Sequence, residues 1–449
     1  MKMKMSTVKR ISLLLAATML TGMLSACGDS GQKEQKSSSE NESGTVNLTF
    51  GIHVADLEKQ EPQIYDVLKA FMDANPDIKI EILGTANADE QDKQMKLDAE
   101  SGTLPDIFWT QPGVAKDMYE AGYIMELSDL LDYDSEVSDS LKEALFTVKE
   151  DGTANEDGKF WGLPYQKMVT GFWINKTVFE ENNIELPHNG TTFEEFMEIV
   201  KILDEKGITT ISNGAKTPYS VWAFQTMFVR YGFLEHLQGI REGSDSFVNE
   251  DFLNYFEMID QLRQAGAFPA NVTTQDYFQA KEAFLSGDAA MLDSGQWDAS
   301  EVNEKFGDQA TFWWGPTFSN GVGNQNVGSM ALTNNLRVSA KVENDEVKKE
   351  AVQRFFKFWL SEEADKIRIK YGTMPLSSTS EEETDNKAFN AMLSAMKEEG
   401  WSSISVVPAQ IVPEVVMNSM YDAIYGVMSG IYSPQEACEV IQEAQERQE

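Results

Sequence analysis

From Val46 to Trp109 the chain alternates between two hydrophobic periods, and that alternation limits the folds open to it. Val46, Leu48, Phe50 and Ile52 repeat at every second residue, the period of a strand with one buried face. Ile64, Leu68, Phe71 and Met72 then share one side of a helix that Asn75-Pro76 ends. Ile78, Ile80 and Ile82 return to the strand period, Asp89–Glu100 reads as a polar helix, and Leu104–Trp109 as a short third strand ending in an aromatic. A β-α-β-α-β order predicts an α/β fold with a mostly parallel sheet covered by helices. Ligands of such sheets sit beyond the carboxyl ends of the strands. His53 and Asp56, after the first strand, and Trp109 and Gln111, at the end of the third, are therefore candidate binding residues.

The segment before this alternation carries a different signal. Lys2, Lys4, Lys9 and Arg10 precede Ile11–Met23, an apolar run too short to span a bilayer as a mature helix. Leu24-Ser25-Ala26-Cys27 follows at once. Small residues directly before a cysteine resemble a bacterial lipobox, which implies cleavage before Cys27 and acylation of its thiol. The other reading is an ordinary secretory signal with a chance cysteine. Residues 1–26 are set aside as a signal peptide, and 27–44, polar throughout after Cys27, are expected to be a disordered tether. Cys438, the one other cysteine, reads as a small buried hydrophobe in the last helix.

The formal net charge is −36, and loss of the four leader cations takes it to about −40. That excludes nucleic acid and anionic lipid as expected partners, since both need basic patches. With lipid at Cys27, the expected location is the extracytoplasmic face of a bacterial cell membrane, anchored but not spanning. Glu150–Gly158 is acidic and Gly-rich, but a calcium loop starting at Asp151 would put Glu156 where glycine is needed and Gly162 where glutamate is needed. A solvated turn is the expectation there. His53, His188 and His236 form no zinc motif, and neither a nucleophile elbow nor a phosphate loop occurs. No metal, cofactor or catalytic residue is expected.

The remaining candidates lie further along. In Phe284–Trp297, FLSGDAAMLDSGQW, a helix ends at Ser286-Gly287, a buried strand follows, and Gly295 is expected to turn the chain sharply into Trp297. An indole at a strand end offers a flat face that suits the C–H side of a sugar ring; Trp297 is either that platform or a half-buried core residue. Thr217–Trp222 opens a helix and offers Tyr219 and Trp222, the latter equally readable as packing. Trp313, Trp314 and Gly315-Pro316 are expected to approach the crevice. Val352, Phe355, Phe356, Trp359 and Leu360 keep strict helical spacing, so Trp359 is core. Thr192 with Glu195, and Ser433 with Glu436, are expected capping boxes.

Four stretches resemble one family in order. The pattern F-x-x-G-x-A-A-M-x-x-x-G-x-W at 284–297 is similar to a segment of extracytoplasmic solute-binding protein family 1, the sugar-binding lipoproteins of ABC importers of maltose and multiple-sugar type. Trp161-Gly162-Leu163-Pro164 with Trp173-Ile174-Asn175-Lys176 and Phe179 resembles a second, with Trp173 standing where tyrosine is usual. Pro187 through Phe196 and Thr217 through Trp222 resemble a third and a fourth. The resemblance implies a two-lobed periplasmic-binding-protein-like fold of type II with the ligand cleft between lobes. It implies a first lobe of 45–165 plus 290–328 and a second of 166–289 plus 329–449. Crossing segments near Pro164–Thr170, Ala289–Asp293 and Val327–Leu332 would be the hinge. Trp297 would be the chief ligand-stacking residue, joined by Trp109, Gln111, Tyr219, Trp222, His53, Asp56, Tyr165, Gly295 and Trp314. The function implied is capture of a carbohydrate, an oligosaccharide, by a monomer that delivers it to ABC permease subunits. A lipid-anchored carbohydrate-active enzyme, or the same transport role for a non-sugar solute, are the alternatives.

Overall fold

The computed structural model describes residues 44–128, 161–217, 219–333, 335–376, 384–404 and 407–447. The leader, Cys27, the tether up to 43 and the 150–158 turn lie outside the described residues.

The first five elements follow the hydrophobic periods. They are β1 (Val46–Ile52), α1 (Pro62–Ala74), β2 (Ile78–Gly84), α2 (Ala88–Ser101) and β3 (Ile107–Trp109), and α3 (Pro112–Glu120) comes next. A second group runs through β4 (Gln166–Asn175), α4 (Phe193–Glu205), β5 (Thr209–Ser212), α5 (Trp222–Arg230) and α6 (Phe233–Arg241). It continues with α7 (Glu250–Gln264), α8 (Tyr277–Ser286), β6 (Ala289–Gly295), β7 (Ala310–Trp313) and β8 (Val327–Thr333). Then come β9 (Leu336–Val338), α9 (Glu346–Trp359), α10 (Lys387–Met396), β10 (Ser402–Ile404), α11 (Glu414–Ser429) and α12 (Pro434–Glu446).

Two sheets organise two lobes. The first has order β2-β1-β3-β9, with β1 parallel to β2 and β3, and β9 antiparallel to β3. The second has order β10-β8-β4-β6-β5. There β4 is the hub: it pairs antiparallel with β8, β6 and β7, so this sheet is not the mostly parallel kind that the opening alternation suggests. The first lobe's core gathers Phe50, Phe71, Phe355 and Trp359. The second lobe's larger core gathers Phe172, Phe224, Phe256 and Met420 from β4, α5, α7 and α11. Cys438 is buried there.

The expected lobe boundaries do not follow these sheets. All seven residues of β6 are buried between β4 and β5, and β7 also pairs with β4. Residues 289–313 therefore stay in the second lobe. The return to the first lobe comes at β9, and β9 and α9 complete its sheet and core. A strand this buried takes the lobe of the strands that satisfy its backbone groups. It follows that Ala289–Asp293 is a central strand and not a crossing. The chain crosses twice side by side, where Tyr165 N–H donates to Thr333 O at 2.7 Å and where Leu163 bridges Leu336, and again between α9 in the first lobe and α10 in a second-lobe core.

Both expected capping boxes form, Thr192 with Glu195 and Ser433 with Glu436. Trp359 is fully buried and its Nε1 donates to Pro164 O at 2.8 Å.

Candidate functional site

The carboxyl end of β3 is fixed by a buried carboxylate. Asp92, on α2, accepts hydrogen bonds from Thr110 Oγ1 at 2.5 Å, Gln111 N–H at 3.1 Å and Gln111 Nε2 at 3.0 Å. Burial pushes the Asp92 carboxyl up to about 6, and these three donors limit the rise. With one Nε2–H given to Asp92, the Gln111 amide keeps its second N–H and its oxygen for other partners. Beside it His53 stacks on Trp109, with centroids 4.2 Å apart and planes at 28°. Glu61 holds that imidazole, with Oε1 3.3 Å from His53 Nε2, and also accepts the Tyr165 hydroxyl.

The facing wall belongs to the second lobe. After β6 a single 3-10 turn, Gln296–Asp298, sets Trp297. The turn is locked by Val169 N–H donating to Gln296 Oε1 at 2.6 Å and by Trp173 Nε1 donating to Gly295 O at 2.8 Å. Trp297 Nε1 donates to Tyr277 Oη at 2.6 Å. Tyr277 in turn donates to Asp298, which lies 3.3 Å from Lys281 Nζ. Trp222 meets Trp297 edge-on at 4.8 Å and Tyr277 at 5.2 Å. Trp222 owes its place to Asp293 on β6. The Asp293 carboxyl group accepts Ala223 N–H at 2.8 Å, at the amino end of α5.

These two walls enclose a cavity of about 160 Å³. Trp109, His53 and Gln111 line it from the first lobe, and Trp297, Trp222 and Tyr219 from the second. Between the lobes Lys96 Nζ reaches from α2 to Glu414 on α11, at 2.7 and 2.8 Å from the two oxygens. A larger cavity, about 620 Å³, lies elsewhere, among Pro187–Asn189, Thr311, Phe312 and α10. It is built from the second lobe alone.

Four expected site residues are not in the cavity wall. Asp56 is partly exposed and is spent on Lys59, whose Nζ lies 2.6 Å away, and on capping a short helical turn. Tyr165 is buried behind His53 with its hydroxyl on Glu61. Trp314 is fully buried in a second-lobe core against Trp401, where a Cβ on Gly328 would fall 1.9 Å from its ring. Gly295 does not turn the chain: its backbone is extended at φ −148°. Glycine is needed because a Cβ there would lie 2.4 Å from the Trp297 ring and 2.6 Å from Val169 O. Several lining residues escaped the sequence reading, among them Glu61, Gln166, Tyr277, Lys281, Asp298 and Asn335. The Asp276–Gln279 capping box before Tyr277 was a legible sign of a helix start there. Nothing local marked the others.

The family model for bacterial extracellular solute-binding proteins matches residues 55–366. The chain belongs to that family. The solute-binding protein is 22% identical over 322 residues to the multiple sugar-binding protein of Streptococcus mutans, covering 67% of this chain and 68% of that one. An uncharacterized ABC transporter extracellular-binding protein of Pyrococcus horikoshii is 30% identical over 138 residues, and the match spans only 30% of either chain. Among solved structures, a chitin oligosaccharide binding protein superposes with a TM-score of 0.76 at 21% identity, covering 90% of this chain and 98% of that one. That likeness establishes the two-lobed fold. The family consists of binding proteins and not enzymes, and no described helix of this solute-binding protein is long and apolar enough to cross a membrane.

Proposed function

We propose that this protein captures a carbohydrate, an oligosaccharide, for an ABC importer, held at the outer face of the cell membrane by lipid on Cys27. One observation carries the reading: Trp109 from one lobe and Trp222 and Trp297 from the other line a single cavity. Indole faces suit the C–H faces of sugar rings, and their burial excludes water from the hydroxyl contacts. Gln111, Gln166 and Asn335 supply amide partners for hydroxyls. The sugar names carried by the Streptococcus mutans relative and the chitin oligosaccharide binding protein point to the same ligand class.

Capture proceeds by hinge closure about the crossings at 163–166 and 333–336. Sugar meets one lobe first, and the second lobe adds contacts only when closed. The ligand shifts the equilibrium toward closure by its differential affinity for that state. The closed monomer then presents its ligand to membrane permease subunits, with ATP hydrolysed elsewhere in the transporter.

Titration calorimetry with a panel of neutral mono- and oligosaccharides tests the reading, with amino acids and peptides as controls. Saturable binding of a sugar without turnover is the expected result. Binding of a peptide or amino acid in place of every sugar would refute it. Mass spectrometry of the mature amino terminus should find acylated Cys27; an unmodified cysteine behind an intact leader would refute the anchor.

A further inference from the structure

One aromatic side chain in the cavity wall is left largely in water. Among the described phenylalanine, tyrosine and tryptophan residues, Phe278 alone is exposed, at 43%. Single exposed apolar residues are ordinary, so exposure by itself means little. Its position is what matters. Phe278 lies in the cavity wall next to Tyr277, near the start of α8. Its ring continues a run of rings: Trp297 meets Trp222 at 4.8 Å, Trp222 meets Tyr277 at 5.2 Å, and Tyr277 meets Phe278 at 5.4 Å. The run passes from half-buried indoles to an exposed phenyl.

Phe278 is also held in place. Lys281 Nζ sits 5.6 Å from its ring centroid. That ammonium is pinned by Asp298 at 3.3 Å and Glu301 at 2.8 Å. A platform on a helix, steadied by a cation that is itself fixed, loses little freedom when a ligand covers it. Two aromatic platforms at different depths fit a ligand with at least two rings, one deep and one at the rim.

We infer that Phe278 forms an outer subsite, so that the ligand is an oligosaccharide with one sugar unit against Trp222 and Trp297 and the next over Phe278. This rests on the carbohydrate reading above. A monosaccharide fills the inner position and gains nothing from Phe278. The outer contact is partly solvated, so it adds less than the inner one.

The experiment is calorimetry on wild type, Phe278→Ala and Phe278→Trp. The probes are monomer, dimer and trimer of glucose, xylose and N-acetylglucosamine, with melts of the unliganded proteins. For the series that binds, wild-type affinity should rise about tenfold from monomer to dimer or trimer. Phe278→Ala should remove most of that gain, leave the monomer Kd alone and melt like wild type. Phe278→Trp should keep the gain. Equal wild-type affinity for monomer and trimer, or a Phe278→Ala loss that is the same at every length or absent at every length, would overturn the outer subsite while leaving carbohydrate binding intact. No binding of any series by wild type would instead bring down the carbohydrate reading, and the subsite with it.

Discussion

Replacing Trp297 and Trp359 by alanine in turn separates a binding tryptophan from a packing one. Trp359 is wholly buried. It packs on Phe355 at 5.5 Å and Phe50 at 6.5 Å, covers the Arg368 guanidinium at 4.7 Å, and donates to Pro164 O. Truncation leaves a cavity and an orphaned carbonyl, and costs about 3–5 kcal/mol of folding free energy. For roughly 400 folded residues the unfolding entropy is about 0.8 kcal/mol/K, so the melting midpoint should fall by about 4–6 °C. Trp297 is only half-buried, and its one hydrogen bond is to Tyr277, which keeps Asp298 as a partner. Its loss strands no buried polar atom and should cost folding about 1–2 kcal/mol, near 2 °C. The binding cost should run the other way. Trp297→Ala removes an aromatic face from the cavity wall and should weaken sugar binding by about 2–4 kcal/mol, roughly thirtyfold to a thousandfold. Trp359→Ala should bind nearly normally while folded. Calorimetric melts without ligand, and titration with whichever sugar binds, read both effects. If Trp297→Ala binds normally, or melts as low as Trp359→Ala, the indole is core and the reasoning fails.

Three further outcomes are expected. Burial pushes the Asp293 carboxyl up to about 8, though Ala223 N–H and the Asn213 amide pull against it. A folded pKa above the unfolded one means that stability is fully present below about pH 4 and lost as pH rises through about 8. Asp293→Asn, which keeps an acceptor for Ala223, should flatten the melting-temperature profile across that window; an unchanged slope would show that Asp293 is not its source. At His236, burial works against the imidazolium, but hydrogen bonds to Asp245 at 2.5 Å and Asp251 at 2.9 Å outweigh it and raise the pKa. His236→Gln should therefore cost stability at pH 6 and much less well above the raised pKa, and an equal cost at both ends would argue against the charged clamp. The Lys96–Glu414 pair spans the lobes, with side chains 42% and 25% exposed. Glu414→Gln should weaken sugar binding by no more than about fivefold at low salt, and the effect should vanish in high salt; a salt-independent loss would point to another cause.

What the sequence determined by itself is what neighbours along the chain decide. Alternation of Val46 through Ile52, the capping boxes at Thr192 and Ser433, the Gly287 stop and the Trp359 stripe depend on contacts within a few residues, and all were legible. Trp109, Gln111, His53, Tyr219, Trp222 and Trp297, which line the cavity, could be named as candidates because strand ends and helix starts are local features. Lobe membership was decided only in three dimensions. Strands β6 and β7 read like any short buried strands, and only pairing with β4, more than 100 residues earlier, assigns them to the second lobe. The same holds for Trp314 and Trp297. Both follow a strand, yet one is sealed against Trp401 and Gly328 while the other lies over Gly295 and is left half-open. Asp56 follows the end of β1, and Asp92 lies in the polar helix α2. Tertiary packing leaves the first to a surface lysine and buries the second beneath Gln111. Burial depends on what the rest of the chain brings up against a residue, and no local pattern encodes that.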